Sequence, residues 1–323
     1  MHGIMLGLAW RAEWPLASWS GAVISGWHAV LGVCGVMLLL APRGFPARAI
    51  GLVLLLPLVV GVPSAIPAGA ARFTLLDVGQ GLAAVVETRH HSLVFDTGPR
   101  FSARFDTGEA VVVPYLRQRG LRQIDRLIIS HGDSDHIGGA ESVLAAIQVA
   151  DISSSVPDKL APRPVSFCQR GQRWEWDGVE FVMLHPAKGF SRRRNNASCV
   201  LKVIAGEHTL LLTGDIEKAA ERRLLQEGAT DLQADILVAP HHGSNTSSTM
   251  SFIRAVAPEY VLFPVGYRNR FRFPRQVVVQ RYREQGVTML DTASAGAISF
   301  ELGQGPLLPG RFRQTARRYW HDR

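Results

Sequence analysis

The chain has 323 residues, a formal net charge of +8 at pH 7 and an isoelectric point near 9.9. This length is enough for one large α/β domain and a further segment. The positive charge suits an acidic partner such as nucleic acid or anionic lipid, although a solvated arginine face explains it equally well. The three cysteines exclude a disulfide framework and a zinc cluster. Cys34 lies in an apolar run, and Cys168 and Cys199 could pair only in an oxidising compartment, which their spacing does not demand.

The N-terminal part contains two long uncharged segments. Lys, Arg, Asp and Glu are absent from residues 14–42 and again from residues 49–71. A bilayer core about 30 Å thick needs about 20 apolar residues in a helix, so we predict transmembrane helices at about 20–42 and 49–68. A signal peptide would have one short apolar run, and a buried helical hairpin would not need runs of this length. Residues 1–71 are therefore predicted to form a membrane segment.

The loop between the two segments is short and carries Arg43 and Arg48. Such loops face the cytoplasm, so both ends of the hairpin would lie on the opposite side of the membrane. We therefore expect a multi-pass protein of the inner (cytoplasmic) membrane, with the residues after Ala71 on the periplasmic or extracytoplasmic side. A chain that begins so close to a helix could also be one piece of a longer membrane protein.

A different pattern begins at Arg72. Short apolar and β-branched runs, separated by Gly and Pro, predict strands first and then strands that alternate with helices, with helices at residues 140–147 and 216–227. This order favours a two-sheet α/β/β/α sandwich over a doubly wound sheet, and the domain is expected to cover residues 72–309. The arginine-rich tail, residues 310–323, lacks periodicity and is expected to fray.

The strongest functional signal follows an apolar run in the middle of the chain. Four side chains able to bind metal occur within six residues, in the order His131-x-Asp133-x-Asp135-His136. Imidazole and carboxylate groups are the usual ligands of catalytic divalent metals. The simpler alternative is an acidic turn that caps a helix, but it leaves several clustered polar groups without a partner.

Two more groups of metal-binding type follow apolar strands farther along the chain. Asp215 comes after a run of leucines and a Thr-Gly pair, and the paired His241 and His242 precede a Gly-Ser pair. Taken singly, each is best explained as a strand end with a capping residue. Three strand-end clusters in one chain are a different matter, because such loops can converge at one edge of a sheet. The sequence therefore predicts a metal site at that edge.

These three motifs, in this order, resemble the metallo-β-lactamase superfamily. Three segments are more closely similar to the ComEC family of bacterial competence proteins, which move DNA across the inner membrane: Leu-Asp-Val-Gly-Gln-Gly at 76–81, Asn-Asn-Ala-Ser at 195–198, and His-His-Gly-Ser at 241–244. The similarity runs over about residues 14–302. In that family such a domain follows a larger bundle of membrane helices, so the resemblance implies that this chain is a C-terminal portion.

The resemblance implies that two divalent metal ions share six ligands: His131, Asp133, Asp135, His136, Asp215 and His242. Within this set Asp215 would bridge the ions. Asp135 and His241 would be catalytic, His241 as a proton donor facing the substrate, although the pattern leaves open which residue of the pair is the ligand. Five further residues would support the site or contact the substrate: Asp77, Gln80, Asp96, Asn196 and Ser244.

Two departures from the wider superfamily bear on the metals. Asp133 stands where a second histidine is common, and the segment around Asn195 lacks the usual third-motif histidine. His185 could substitute for it, although a core or strand-end histidine is the simpler interpretation. Carboxylates in place of imidazoles favour harder metals, so manganese and zinc are the first candidates and magnesium is a third. One ion is expected to be weakly held, and no nucleotide cofactor is expected.

Two neighbouring divalent ions suit phosphodiester hydrolysis. The resemblance implies a nuclease that degrades the DNA strand that is not imported, beside the rest of a DNA-translocation channel. Charge and base stacking on interleaved Tyr and Phe suit single-stranded DNA, and five arginines are expected to contact it: Arg192, Arg193, Arg194, Arg270 and Arg272. The alternatives are a hydrolase of small esters or thioesters, because a fold does not fix its substrate, and a non-catalytic DNA-guiding module.

Overall fold

The computed structural model describes residues 26–42, 44–59, 65–187, 194–228 and 232–316. The chain forms two compact units. One contains the helices α1 (Gly26–Leu40) and α2 (Ile50–Val59) together with residues 114–122, and the other contains the strands.

The described parts of the two N-terminal helices lie within the predicted apolar segments. They approach closely, since a Cβ atom added at Gly35 would lie 2.8 Å from the backbone oxygen of Gly51. The described parts of these helices have 15 and 10 residues, and no helix within the described residues is both long enough and apolar enough to span a bilayer. Residues 20–25 and 60–64 of the predicted spans lie outside the described residues.

Two sheets dominate the second unit. The strands, in chain order, are β1 (Ala71–Leu75), β2 (Ala84–Glu87), β3 (Ser92–Phe95), β4 (Arg100–Ser102), β5 (Phe105–Asp106), β6 (Gln123–Ile129), β7 (Gln148–Ser154), β8 (Ser166–Phe167), β9 (Arg173–Trp176), β10 (Val179–His185), β11 (Val200–Ala205), β12 (His208–Leu212), β13 (Ile236–Val238), β14 (Tyr260–Phe263), β15 (Thr288–Asp291), β16 (Ile298–Leu302) and β17 (Gly310–Arg311). The first sheet has the order β17-β16-β1-β2-β3-β6-β7-β8, and the second has the order β15-β14-β13-β12-β11-β10-β9. Strands β4 and β5 pair separately.

The helices that follow are mostly short connections between strands. They are α3 (Val113–Gln118), α4 (Ser134–Ile137), α5 (Ala140–Ala146), α6 (Lys218–Gly228), α7 (Met250–Val256), α8 (Gln276–Glu284), α9 (Thr292–Ala295) and α10 (Phe312–Thr315). A π-helical turn covers Gly108–Val112, and 3₁₀ turns cover Pro157–Leu160, Arg194–Ala197 and Pro240–Gly243.

The core has two apolar layers. The first lies between the sheets, where Phe73 of the first sheet and Phe181 of the second are fully buried. The second lies between the second sheet and the helices α6, α7 and α8, and it includes Phe252 and Tyr282. Burying one face of each sheet against an apolar layer is the usual way to build a stable domain. This architecture confirms the predicted two-sheet α/β fold.

Parallel strands bring the predicted site residues to common edges. Strands β3, β6 and β7 run parallel in the first sheet, and β12 to β15 run parallel in the second. The carboxyl ends of parallel strands lie at the same edge, where α/β proteins usually bind their ligands. Asp96 follows β3, His131 follows β6, Asp215 follows β12 and His242 follows β13.

The two sheets are also joined covalently. Cys168, next to β8 in the first sheet, forms a disulfide with Cys199, next to β11 in the second. Their separation of 31 residues did not require this bond. The packing of the two sheets brings the cysteines together, which the spacing alone could not indicate.

The start of the arginine-rich tail differs from the expected frayed segment. Strand β17 pairs with β16, and Arg313 of α10 forms an ion pair of 2.7 Å with Asp77. The first residues of the tail are therefore part of the fold. Strand pairing and an ion pair hold them in place, although the segment has no apolar periodicity. Residues 317–323 lie outside the described residues.

Candidate metal centre

Four of the predicted ligands come together in one cluster, termed here the primary cluster. Asp135, His136, Asp215 and His242 each offer a ligand atom, and these atoms lie within 4.8 Å of one another. Nε2 of His242 is 3.2 Å from Oδ2 of Asp135 and 3.4 Å from Oδ1 of Asp215. Nε2 of His136 is 3.0 Å from the same Asp215 oxygen. All but Asp135 are buried, so Asp135 is the member of the cluster that solvent reaches.

Hydrogen bonds on the far side of each imidazole orient the two histidines. Nδ1 of His136 donates to Oδ2 of Asp96 at 2.7 Å, and Nδ1 of His242 donates to the backbone oxygen of Pro264 at 3.0 Å. A carboxylate and a carbonyl can only accept, so each ring keeps its proton on Nδ1 and turns Nε2 towards the cluster. Asp96, predicted as a supporting residue, therefore lies directly behind a predicted ligand.

A second group of donors, termed the secondary group, lies on the other side of Asp215. It consists of His131, Asp133 and His241. Nε2 of His131 is 3.7 Å from Oδ2 of Asp133 and 3.9 Å from Oδ2 of Asp215. Nε2 of His241 is 3.8 Å from the same Asp215 oxygen. Asp215 thus presents one carboxylate oxygen to the primary cluster and the other to the secondary group.

His241 lies at the edge of the site with its side chain 20% exposed. Its Nδ1 is 3.1 Å from Oγ1 of Thr246 and 3.5 Å from Oε1 of Glu217. Its Nε2 is 3.5 Å from Nδ2 of Asn195. This position suits a ligand of the secondary group as well as the proton donor predicted from the sequence, whereas only His242 belongs to the primary cluster.

Opposite charges at short range control the protonation of the primary cluster. Burial opposes every charged form, but the carboxylates of Asp215 and Asp96 outweigh it and hold the pKa of His136 well above its usual range. Against the same burial penalty, Asp215 and Asp135 raise the pKa of His242 to about 9. Conversely, the two imidazolium groups hold the pKa of Asp215 well below its usual range and lower the pKa of Asp135 to about 2. Protons on the histidines thus balance the carboxylates, and a divalent cation would displace them.

The backbone around the site adopts conformations that residues other than glycine seldom occupy. Asp96, His241 and His242 have φ angles of 59°, 48° and 53°. Such strain persists only where the surrounding structure imposes it, and it is concentrated at functional sites. Gly214 is required by a close approach, because a Cβ atom there would lie 2.9 Å from the side chain of Ser130. The edges of the two sheets meet at this contact.

The residues present fit a metal ion. Nε2 of His131 is buried and has no hydrogen-bond partner. Leaving such an atom unpaired is costly, and a divalent cation would satisfy it. The primary cluster would hold one ion, and the secondary group would hold a second through the shared Asp215. Bound ions would supply Lewis-acid polarisation of a phosphoryl or carbonyl oxygen.

The remaining predicted support residues lie around the site with different partners. Asn196 accepts hydrogen bonds at 3.1 Å from the backbone of Glu217 and of Ala220, so it fixes the start of α6. Ser244 Oγ is 3.0 Å from Oγ1 of Thr246, the residue that also contacts His241. These two residues position the loops that carry the site.

Three other residues have partners outside the predicted ligand set. Asp77 forms the ion pair with α10 already described, and Oε1 of Gln80 lies 3.5 Å from the backbone nitrogen of Gly266. Nε2 of His185 donates to the backbone oxygen of Asn196 at 2.8 Å. His185 therefore supports that segment, and it is not a member of the primary cluster.

The predicted DNA-binding arginines fall into two sets. Arg192 and Arg193 lie outside the described residues, and Arg194 begins a 3₁₀ turn. Arg270 and Arg272 are exposed on the loop after β14. Of these arginines, only Arg270 and Arg272 have described side chains whose position relative to the site can be given.

Sequence reasoning missed several polar residues of the site. Ser130 donates to Asp96 at 2.6 Å, and Glu217 faces His241. Both are within two residues of a predicted ligand, so adjacency could have found them. Asn195, and not the predicted Asn196, lies next to the ring of His241. The Lys159 ammonium donates to the backbone oxygen of Gly132, the residue before Asp133. No local signal identifies Lys159, which the fold brings from 27 residues away.

Comparisons with known proteins agree with this geometry. Residues 76–266 match the model of the metallo-beta-lactamase superfamily. Among curated relatives, the chain is 40% identical over 91% of its length to Competence protein ComA of Neisseria gonorrhoeae, and 32% identical over 72% to Recombination protein 2 of Haemophilus influenzae. It is 29% identical over 70% of its length to ComE operon protein 3 of Bacillus subtilis. The chain spans 41%, 29% and 32% of the lengths of these relatives.

Solved structures resemble the chain at lower sequence identity. Igni18, a metallo hydrolase from Ignicoccus hospitalis, has 17% identity and a TM-score of 0.48 over 72% of this chain and 99% of its own. YhfI from Bacillus subtilis, a metallo-beta-lactamase fold protein, has 13% identity and a TM-score of 0.44 over 68% and 95%. The superfamily match, which covers more than half of the chain, decides the assignment. The chain belongs to the metallo-beta-lactamase superfamily, and its curated relatives support membership of the ComEC family of competence proteins.

Proposed function

We propose that this chain takes part in DNA uptake and that its second unit is a metal-dependent phosphodiesterase acting on the incoming DNA. The observation that carries the proposal is the position of Asp215 between the primary cluster and the secondary group. Two divalent ions on a shared carboxylate suit in-line displacement at phosphorus. The names of the curated relatives, which refer to competence and recombination, support DNA as the substrate.

Different residues of the site would bind the ions, donate the proton and orient the donor. The primary cluster would hold one ion, and His131 and Asp133 of the secondary group would hold the other. Nε2 of His241 is at the solvent-accessible edge, where it could donate a proton to the leaving oxygen. Glu217, 3.5 Å from Nδ1 of His241, would stabilise the protonated ring. Asn195 would help to orient that ring from the other side.

The experiment is a metal and activity assay of the 323-residue chain. Metal content and hydrolysis of bis(p-nitrophenyl) phosphate, single-stranded DNA and double-stranded DNA are measured with manganese, zinc and magnesium. We expect metal-dependent hydrolysis, and we expect Asp215→Ala to lower it by about 100-fold or more, because electrostatic stabilisation of the reacting phosphate depends on both ions. Glu207→Gln, which changes an exposed acid in the turn between β11 and β12, is the matched control.

Three results would contradict the proposal. Hydrolysis of p-nitrophenyl acetate without any hydrolysis of phosphodiesters would make the chain an ester hydrolase. DNA binding without hydrolysis of any substrate would make it a guiding module. Near-normal activity and metal content in Asp215→Ala would remove Asp215 from the site.

We also propose that the chain belongs to the inner membrane with its second unit outside the cytoplasm, and that manganese or zinc fills the site. The uncharged N-terminal segments and the exposed apolar side chains Trp27 and Met37 of α1 support the membrane proposal. The disulfide between Cys168 and Cys199 supports an oxidising compartment. Arg192, Arg193 and Arg194 remain proposed DNA contacts.

A further inference from the structure

The loop after β14 carries an uncommon combination of side chains. Residues 267–275, here the arginine–aromatic loop, contain four arginines between aromatic rings. Its exposed aromatic residues are Tyr267, 61% exposed, and Phe271, 40% exposed. Six residues of the loop line an open cavity of about 720 Å³ together with Val265, Gly266, Asp291 and Ala293; they are Arg268, Asn269, Arg270, Arg272, Phe273 and Pro274. Ligand sites usually fall in this size range.

The loop contacts the turn that carries His241 and His242. The backbone nitrogen of Arg275 donates to the backbone oxygen of Gly243 at 2.9 Å, directly after the histidine pair. The Phe273 ring is 5.9 Å from the ring of His241 and 6.5 Å from that of His242, and it is nearly parallel to the latter. A ligand lying along the loop would therefore reach the ligand-bearing turn.

The loop is also fixed in shape. The Asn269 side chain donates to the backbone oxygens of Gly266 and Phe273 at 3.1 and 2.8 Å, and it accepts from the Phe273 nitrogen at 2.9 Å. A loop closed by its own asparagine in this way is preorganised, which lowers the entropic cost of binding.

The charges of the loop are available to a ligand. Arg268, Arg270, Arg272 and Arg275 are exposed, and within the described part of the chain none of them forms an ion pair with a carboxylate. The guanidinium of Arg270 lies 4.7 Å from the centre of the Phe271 ring. Stacked arginines keep their outer N–H groups free for phosphate oxygens.

The aromatic rings form a stacking platform. The rings of Phe271 and Phe273 are 5.5 Å apart and nearly parallel, with an interplanar angle of 18°. An exposed ring beside a row of free arginines suits a flat base joined to phosphates. The bases of a duplex are already stacked on each other, so only an unpaired strand offers a free base. An anionic membrane surface would match the charges, but it would not use a concave cavity next to a metal centre.

We infer that the arginine–aromatic loop binds a single-stranded polynucleotide, with its phosphates on Arg268, Arg270 and Arg272 and a base stacked on Phe271, and leads the strand to the metal centre. The inference rests on the proposed function, because it names the form of DNA that the phosphodiesterase site would receive.

The test separates base stacking from phosphate contact. Binding of the 323-residue chain to a fluorescent 20-nucleotide single strand is measured by anisotropy, in EDTA to prevent cleavage. A strand of the same length whose bases are replaced by abasic sites is measured in parallel. We expect Phe271→Leu to weaken binding of the normal strand about 10-fold and to leave the abasic strand unchanged.

The arginines should behave differently from the ring. Arg268→Gln combined with Arg270→Gln should weaken both strands, and it should reduce the slope of log affinity against log salt by about 0.7 for each arginine. Arg222→Gln combined with Arg254→Gln removes the same charge from exposed positions on α6 and α7, outside the cavity, and should leave that slope unchanged.

Three outcomes overturn the inference. The first is wild-type affinity for the normal strand in either loop variant. The second is an equal loss for both strands in Phe271→Leu, which indicates a structural role. The third is that the loop variants bind phosphatidylglycerol vesicles more weakly than the wild type does but bind the single strand equally well. Hydrolysis of bis(p-nitrophenyl) phosphate by the wild type tests the metal centre separately, so failure of the proposed function is distinguished from failure of the loop.

Discussion

His136 depends on a fully buried residue on the far side of its ring from the primary cluster. Its Nδ1 donates to Asp96, and Asp96 is itself held by the backbone nitrogen and the hydroxyl of Ser130 at 2.7 and 2.6 Å. Asp96 therefore selects the tautomer in which Nε2 of His136 is free. Carboxylate partners of this kind commonly change metal affinity by about 10- to 100-fold when they are removed.

Asp96→Asn tests this dependence at the level of one atom. Asparagine tolerates the left-handed conformation at this position, but its amide NH₂ group would face Nδ1 of His136 and favour a proton on Nε2. We expect metal affinity, measured by titration calorimetry with manganese or zinc, to fall about 10- to 100-fold. Asp151→Asn breaks an ion pair with Arg126 on β6 and serves as the control. Equal affinities in Asp96→Asn and the wild type would exclude the orienting role.

The side chain of Asp177 forms hydrogen bonds between a turn of the second sheet and a turn of the first sheet. Asp177, in the turn between β9 and β10, accepts hydrogen bonds from the Thr88 hydroxyl at 2.6 Å and the His90 nitrogen at 2.8 Å, and it lies 3.0 Å from Nδ1 of His91. Burial opposes its ionisation, but the bonds from Thr88, His91 and the His90 backbone outweigh burial and lower the pKa of Asp177 to about 2. The ionised carboxylate therefore stabilises the packing of two hairpins.

Asp177→Asn should change the acid stability of the domain. A lowered pKa means that the carboxylate contributes stability above its unfolded pKa near 3.9 and loses that contribution as the pH falls through about 2. We expect the free energy of unfolding at pH 7 to fall by about 1 kcal/mol, and the difference from the wild type to shrink between pH 4 and pH 2. Urea unfolding across this range measures both effects. Glu175→Gln, at an exposed position on β9, is the control, and a difference that does not vary with pH would contradict the assignment.

At the scale of the whole molecule, the proposed topology puts the loop between α1 and α2 in the cytoplasm and the second unit outside it. Gly44 is a suitable probe site in this loop, since a Cβ atom there would meet nothing within 4 Å. Gln314 on α10 is exposed in the second unit. Cys34 is free and exposed, whereas Cys168 and Cys199 are bonded to each other, so Cys34→Ser removes the free thiol of the described chain.

Cysteine labelling tests the proposed topology. In the Cys34→Ser background, we expect Gly44→Cys to resist an impermeant thiol reagent in intact cells, because the arginine-bearing loop should face the cytoplasm. Gln314→Cys should react in intact cells, and both should react after permeabilisation. The reverse pattern would place the second unit inside the cytoplasm.

Local chemistry is what the sequence by itself determined. The motifs at His131–His136, Asp215 and the histidine pair could be identified because each joins an apolar strand to adjacent polar residues, and such short-range patterns survive without knowledge of the fold. The two-sheet α/β fold could be predicted for the same reason. The roles of the individual ligands stay predictions that metal analysis must test.

Relations between distant parts of the chain were decided only by the tertiary structure. The left-handed backbone at His241 and His242 places His242 in the primary cluster and His241 at the edge, which no periodicity indicates. The sheet packing pairs Cys168 with Cys199. The loop that follows β14 lies beside the candidate metal centre because β13 and β14 are parallel neighbours. These contacts depend on strand order and backbone strain, and neither is encoded in the spacing of residues along the chain.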